Sequence, residues 1–238
     1  PVDGSGGFTG GGGTNIGLNS GILLTSGGTA IAVGPNNAAA AGVCSNAPGD
    51  LDLDPLAGGT TFDACVLEFD ITTLCDTLKF NYVFASEEYP EFVNAGVNDA
   101  FALFITGPGI AGTVNMAIVP GTALPVTIDN VSPITNPQYY VDNTGGTTIQ
   151  YDGFTTVLTA WHIVQPCQPY HLKLAIADAG DCIYDSGVFI EEGSLNCSAG
   201  TLVTATTQNA IEDCQDGSVT FCRSNPDPTP LTVNLTIA

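Results

Sequence analysis

Apolar and polar residues alternate one by one along most of this chain, and that pattern restricts it to strands. Cys65, Leu67, Phe69 and Ile71 alternate with Val66, Glu68 and Asp70, and Leu78, Phe80, Tyr82 and Phe84 with Lys79, Asn81, Val83 and Ala85. Tyr170, Leu172, Leu174 and Ile176 oppose His171, Lys173, Ala175 and Ala177, and further apolar runs lie at 101–105, 126–131, 156–164 and 188–190. Successive side chains of an extended strand point to opposite faces, so a period of two gives each strand one face for a core. Gly, Pro, Asn and Asp punctuate the runs, and no window carries the period of an amphipathic helix. The predicted fold class is all-β: a β-sandwich or jelly-roll-like domain.

Composition divides the chain further. Residues 1–14 are a glycine-rich lead with one aromatic, Phe8. Residues 15–197 hold the sandwich. Residues 198–238 offer three short strands, at 202–206, 218–221 and 231–237, too few to enclose a core of their own. They read as an incomplete second β-sandwich segment, completed by further residues or by another subunit.

Three Lys and Arg stand against 24 Asp and Glu, a formal charge of −21. With no basic stripe to meet phosphates, nucleic acid is excluded as a partner, and anionic lipid surfaces are disfavoured. No run approaches the roughly 20 apolar residues of a membrane span. The eight cysteines, Cys44, Cys65, Cys75, Cys167, Cys182, Cys197, Cys214 and Cys222, form no C-x-x-C pair. Zinc is therefore a poor match, and an even count in an acidic chain reads as disulfides formed in an oxidising, extracellular compartment. Sequence leaves the pairing open; a Cys214–Cys222 bridge across the Asp216-Gly217 turn is one option. Asn196 and Asn234 open N-x-[ST] sequons.

The most distinctive stretch is Phe84-Ala-Ser-Glu-Glu-Tyr-Pro-Glu-Phe92 with Asn98-Asp99 after it, and Asp178-Ala-Gly-Asp181-Cys-Ile-Tyr-Asp185 forms a second acidic group between two apolar runs. Both fall at strand ends, where a sandwich gathers ligands. Carboxylates brought together raise one another's pKa unless a cation neutralises them, and a chain so poor in Lys and Arg calls for a hard divalent ion held by oxygen, Ca²⁺. The expected ligands are Glu87, Glu88, Asn98, Asp99 and Asp185, with Asp178, Asp181 and Asp152 outside them. Asp50-Leu-Asp-Leu-Asp54 begins like an EF-hand loop but lacks its sixth-position glycine, and Thr61 stands in the bidentate position.

Catalysis finds little support. Asp185-Ser186-Gly187 is followed by a β-branched Val188, and His162 and His171 both fall inside strands, so no triad is indicated. Glu87 and Glu88 are adjacent on an extended chain and point to opposite sides, which disfavours a carboxylate pair across one glycosidic bond. Tyr139, Tyr140 and Trp161 are the aromatic candidates for a sugar platform, with Trp161 expected in the core.

Several pieces together resemble the choice-of-anchor L family of secreted and surface-attached bacterial proteins. They include Gly17-Leu-Asn-Ser-Gly-Ile-Leu-Leu-Thr-Ser-Gly27, Asp63-Ala64 with Leu67-Glu-Phe-Asp70, Phe80-Asn-Tyr-Val-Phe-Ala-Ser-Glu-Glu-Tyr-Pro-Glu-Phe92, Tyr151-Asp-Gly-Phe-Thr-Thr-Val-Leu-Thr-Ala160 and Tyr184-Asp-Ser-Gly-Val-Phe189. From Ala210 onward the chain is similar to the start of a Calx-β sandwich. The resemblance implies attachment at the cell surface; it does not imply a catalytic activity. The leading functional expectation is a structural or adhesive module, a self-assembling extracellular fibre subunit stabilised by disulfides and calcium. A calcium-dependent carbohydrate-binding module that contacts surface glycans is the alternative, and a hydrolase the third. Strict alternation of Leu231, Val233, Leu235 and Ile237 with polar residues suggests a strand that pairs with another copy, with Phe8 as the reciprocal element.

Overall fold

A computed structural model describes residues 4–195 together with the strands at 201–205 and 219–223. In chain order the strands are β1 (Ser5–Phe8), β2 (Gly21–Thr25), β3 (Thr61–Thr73), β4 (Thr77–Ser86), β5 (Ala100–Thr106), β6 (Val114–Asn115), β7 (Tyr140–Asp142), β8 (Gly153–Thr155), β9 (Leu158–Ile163), β10 (Gln168–Ala179), β11 (Ser186–Glu191), β12 (Thr201–Ala205) and β13 (Val219–Arg223). Among the described residues one short α-helix, α1 (Asp54–Ala57), interrupts them.

Two antiparallel sheets face each other, as the alternation predicts. The larger runs β1-β2-β11-β4-β8-β7, with β9 also beside β4, and the smaller runs β3-β10-β5-β6. The core between them is supplied by the apolar phase of each strand: Leu78, Phe80, Tyr82 and Phe84 of β4, Phe101, Leu103 and Ile105 of β5, Tyr170, Leu172, Leu174 and Ile176 of β10, Val188 and Ile190 of β11. At roughly 1.5–3 kcal/mol for each large side chain removed from water, these rows are the main stabilising term. Neither outer face is bare. Ile16, Ala32 and Ile149 from loops cover Val83, Ala85 and Phe189 of the large sheet, and Leu53, which caps α1, with Leu56 inside it, covers Ala102, Phe104, Ala175 and Ala177 of the small one.

Four expectations are corrected. The run at 126–131 is not a strand: Val126, Ile128 and Val131 are buried core residues on a connection held by isolated bridges, Ala100 to Thr127 and Ile118 to Pro125. Burial without a ladder partner gives the same apolar pattern as a strand. The glycine-rich lead supplies β1, an edge strand in register with β2, and Phe8 stacks edge-on upon Phe189 of its own chain at 5.3 Å. Trp161, expected inside, is 56% exposed, because it falls on the outward phase of β9. Cys65 is a free thiol whose Sγ donates to Gly4 O (3.0 Å); partial burial raises its pKa and so lowers its thiolate fraction.

Cys44 bonds to Cys182, with their Cα atoms 4.9 Å apart, and Cys75 and Cys167 are also disulfide-bonded. Cys197 and Cys214, with the tail strand at 231–237, lie outside the described residues. β12 and β13 pair antiparallel, setting Leu202 opposite Cys222. Lys173 Nζ sits between Asp50 (2.8 Å) and Asp52 (2.7 Å), so the EF-hand-like run is held by an ammonium from the chain itself.

The Cys44–Cys182 bridge closes a loop of 138 residues, and cross-links of long loops are worth about 2–5 kcal/mol. Replacing both cysteines by alanine is expected to lower the thermal midpoint by about 5–15 °C. An unchanged midpoint in a non-reducing melt would show that the bridge constrains nothing.

Candidate functional site

Register brings four strand ends together. In the large sheet Ser86, the last residue of β4, lies opposite Ser186, the first of β11. In the small sheet Ala177 of β10 lies opposite Ala100, the first residue of β5. All four ends fall at one end of the sandwich, and there the core-facing rows turn polar. The row Tyr170, Leu172, Leu174, Ile176 continues as Asp178; Phe101 is preceded by Asp99, Val188 by Ser186, and Phe84 is followed by Ser86. Strand β10 keeps its phase because the extra residue is on β3, where Ile176 faces Cys65 but Asp178 faces Phe62 and Asp63 adopts a positive φ of 51°.

The result is a set of carboxyl groups sealed from water: Glu87, Glu88, Asp99, Asp178 and Asp185 are each no more than 2% exposed. Asp99 is the best supported. Its Oδ2 accepts from Ser186 Oγ (2.6 Å) and its Oδ1 from Ala179 N (2.8 Å), so it ties one sheet to the other. Asp185 receives Val43 N on both oxygens (3.0 and 3.2 Å). Gly27 passes so close to it that a Cβ there would fall 1.5 Å from Asp185 Oδ2; only glycine leaves room for this carboxylate. Glu87 Oε2 accepts weakly from Ala41 N (3.4 Å). By contrast Glu87 Oε1, Glu88 Oε2 and both oxygens of Asp178 have no hydrogen-bond partner among the described residues.

Glu87 and Glu88 lie in the turn after β4, not on an extended chain, and their charged neighbours differ. Glu87 faces Asp152 and Asp185, whereas Glu88 faces Asp99 and Asp181. Burial first, and these neighbouring charges second, push Glu87 up to about 8 and Glu88 up to about 9. Burial lifts Asp99 to about 7 even against its two hydrogen bonds, and Asp185 to about 6. Asp178 is raised well above the ordinary carboxylate range by burial and then by Asp99. Only Ser26 acts against that shift, and its hydroxyl is engaged by Ser186 O (3.3 Å).

Three other expected residues are placed differently. Asn98 spends its amide on structure: Nδ2 donates to Ala57 O (3.1 Å) and Oδ1 accepts from Asp129 N (3.0 Å). Asp181 is half-buried and accepts from Ile183 N (3.0 Å). Asp152, on the Glu87 side, is held by Asn36 Nδ2 (2.6 Å). Sequence reasoning missed Asp63, whose carboxylate accepts from Ser45 N (2.7 Å) and Ser45 Oγ (2.9 Å) and so anchors the 41–47 segment over the cluster. Its signal was a lone Asp in an apolar strand, where only a local hydrogen-bonding task compensates burial. Asp63 also lies within 4.8 Å of the sulfurs of Cys44 and Cys182, the only three potential metal-ligating atoms so close among the described residues. Those sulfurs are joined in a disulfide and cannot hold an ion.

The serine and histidines weighed for a triad are engaged elsewhere. Ser186 is buried and bonded to Asp99, His171 Nδ1 faces Asp70 (2.9 Å), and His162 Nδ1 faces Ile163 O (2.6 Å). No helix among the described residues is long and apolar enough to cross a membrane.

The family model for the choice-of-anchor L domain matches residues 2–196, which include every residue of the cluster. Comparison with curated proteins and with solved structures gives no match.

The pKa shifts fix a pH dependence in metal-free buffer. Carboxyl groups whose folded pKa lies above the unfolded value of ~4 stabilise the fold fully below that value, and the contribution is lost as pH rises through the folded pKa. With EDTA present, the thermal midpoint is expected to fall by more than ~5 °C between pH 5 and pH 9. A midpoint that rises over that window would contradict the burial of these groups.

Proposed function

Because the chain belongs to the choice-of-anchor L family of secreted and surface-attached bacterial proteins, we propose that it is a non-catalytic structural and adhesive module, the repeating unit of an extracellular fibre. The observation that carries this reading is the exposed strip on β9. Among the described residues β9 pairs with β4 alone, and it presents Trp161 (56% exposed) and Ile163 (66%) to solvent. An apolar strip on an open strand edge marks a contact surface and a template for strand addition. Trp161 lies opposite Lys79, so the strip sits on one of the few places where the negative field of the chain is relieved. The strand proposed to add there is the tail of a second copy, Leu231, Val233, Leu235 and Ile237, within a segment we read as the opening of a Calx-β-like sandwich. A structural calcium ion at the carboxylate end completes the reading.

One observation favours carbohydrate binding as a second reading. The exposed indole of Trp161 lies near Asn81 and Thr159, which are joined by a 2.8 Å hydrogen bond, and an aromatic face beside polar groups suits a pyranose ring. This platform is near the far end of β4 from Ser86, on the order of 20 Å from the carboxylates at ~3.3 Å per residue. Calcium would therefore act on sugar binding only through the fold.

Electron microscopy of purified protein separates the two readings. The Trp161→Ala/Ile163→Asp variant is expected to reduce filament number at least tenfold while the circular dichroism spectrum is kept. Unchanged filaments would remove β9 as the contact, and glycan-array binding abolished by Trp161→Ala in a protein that forms no filaments would favour the second reading.

A further inference from the structure

We infer that Glu88, Asp99, Asp178 and Asp181 form the binding site of one divalent cation, calcium by their all-oxygen chemistry, enclosed at the junction of the two sheets. The inference rests on the cation within the proposed function but not on fibre assembly or on β9.

The first argument is the orphaned oxygens. Asp178 is 1% exposed with both oxygens unpartnered, and Glu88 is 2% exposed with Oε2 unpartnered. Asp99 is a near charged neighbour of both, so the buried, unpartnered atoms belong to one acidic cluster. Burying an ionised carboxylate without a partner is among the most expensive arrangements a fold can hold. Protonation alone does not resolve it at Asp178. A proton shared between Asp178 and Asp99 would engage one oxygen of Asp178 and would leave its second oxygen and Glu88 Oε2 unpartnered.

The second argument is the absence of any counter-charge within reach among the described side chains. Lys173 is held by Asp50 and Asp52 (both 2.7 Å). Lys79 lies opposite Trp161, towards the other end of β4, and His171 is engaged by Asp70. Hydrogen-bond donors substitute only in small part: Ser186 Oγ and Ala179 N are both spent on Asp99, and Ser26 alone acts against the shift of Asp178.

The third argument concerns which cation fits. The ligands are carboxylate oxygens on separate pieces of backbone: the turn after β4, the residue before β5, the end of β10 and the turn after it. Mg²⁺ requires near-ideal octahedral geometry at about 2.0–2.1 Å, whereas Ca²⁺ accepts six to eight irregular oxygens at about 2.3–2.6 Å. No three of these carboxylate oxygens lie within 4.8 Å of one another, so binding requires Glu88, which has the longest stem of the four, and at least one of the aspartates to turn toward the ion. A cation there would join the large sheet, through Glu88, to the small sheet, through Asp99 and Asp178. Glu87 and Asp185, bonded to the 41–43 segment, would support the site without coordinating.

The test uses the full chain, stripped with EDTA and dialysed, then titrated with calcium chloride alone by calorimetry and followed in parallel by thermal unfolding. The expected result is one calcium per chain and a midpoint raised by more than about 5 °C at saturation. Glu88→Gln and Asp178→Asn should each weaken binding at least tenfold and cancel the calcium-dependent rise, while Asp70→Asn, exposed on β3, should leave both intact. If Asp178→Asn does not fold, Glu88→Gln and the wild-type titration still decide the matter. Wild-type protein that takes up no calcium, or binding unchanged in Glu88→Gln, would overturn the site; either result would leave filament formation, and the surface reading with it, untouched.

Discussion

Five carboxyl groups are carried into the interior where four strands end, and the architecture of that end follows from holding them there. The register that sets Ser86 against Ser186 and Ala177 against Ala100 cannot be changed without moving them. Because a one-residue slip reverses every side chain, the core rows that bury Leu174 and Phe84 also fix Asp178 and Ser86 on the inward side. Hydrophobic packing and the acidic cluster are therefore two consequences of one alternation. The first favours folding and the second opposes it until the charge is neutralised.

The surrounding segments are arranged around that charge. Residues 41–47 bring Ala41 N to Glu87, Val43 N to Asp185 and Ser45 to Asp63, and the Cys44–Cys182 bridge fastens this segment to the β10–β11 turn. Gly27 makes way for Asp185. Backbone amides, a disulfide and a glycine thus hold these acids out of water, support that a solvated acidic loop would not need. The far end of β4 is different in kind: Trp161, Ile163 and Lys79 meet solvent there, so the molecule separates a sealed acidic end from an open apolar strip.

Much of this was legible in the residues, and the limits are physical. The sandwich was visible because period two repeats in β3, β4 and β10, the strands that build the core. The meeting of the two acidic groups was foreseeable because both follow strand ends, and their depth could have been read by continuing the rows: Asp178 stands two positions beyond Ile176, on the same face. Asn98 could not be told from a ligand, since the partners that occupy its amide, Ala57 and Asp129, come from distant loops. The buried connection at 126–131 looked like a strand because burial, not hydrogen bonding, sets its apolar pattern. Trp161 was misjudged because size suggests burial, whereas its phase on β9 points outward. Among the described residues Cys44, Cys75, Cys167 and Cys182 are in disulfides while Cys65 is free beside β1, so an even count does not guarantee complete pairing.

The central claim, that the sandwich end is held by a cation among buried carboxylates, is tested most directly by anomalous diffraction from crystals grown in calcium chloride. The account predicts one strong anomalous peak at the junction of the sheets, about 2.3–2.6 Å from oxygens of Glu88 and Asp178. Density with no anomalous peak there, and with Asp178 instead hydrogen-bonded to ordered water or to a neighbouring carboxyl group, would contradict it.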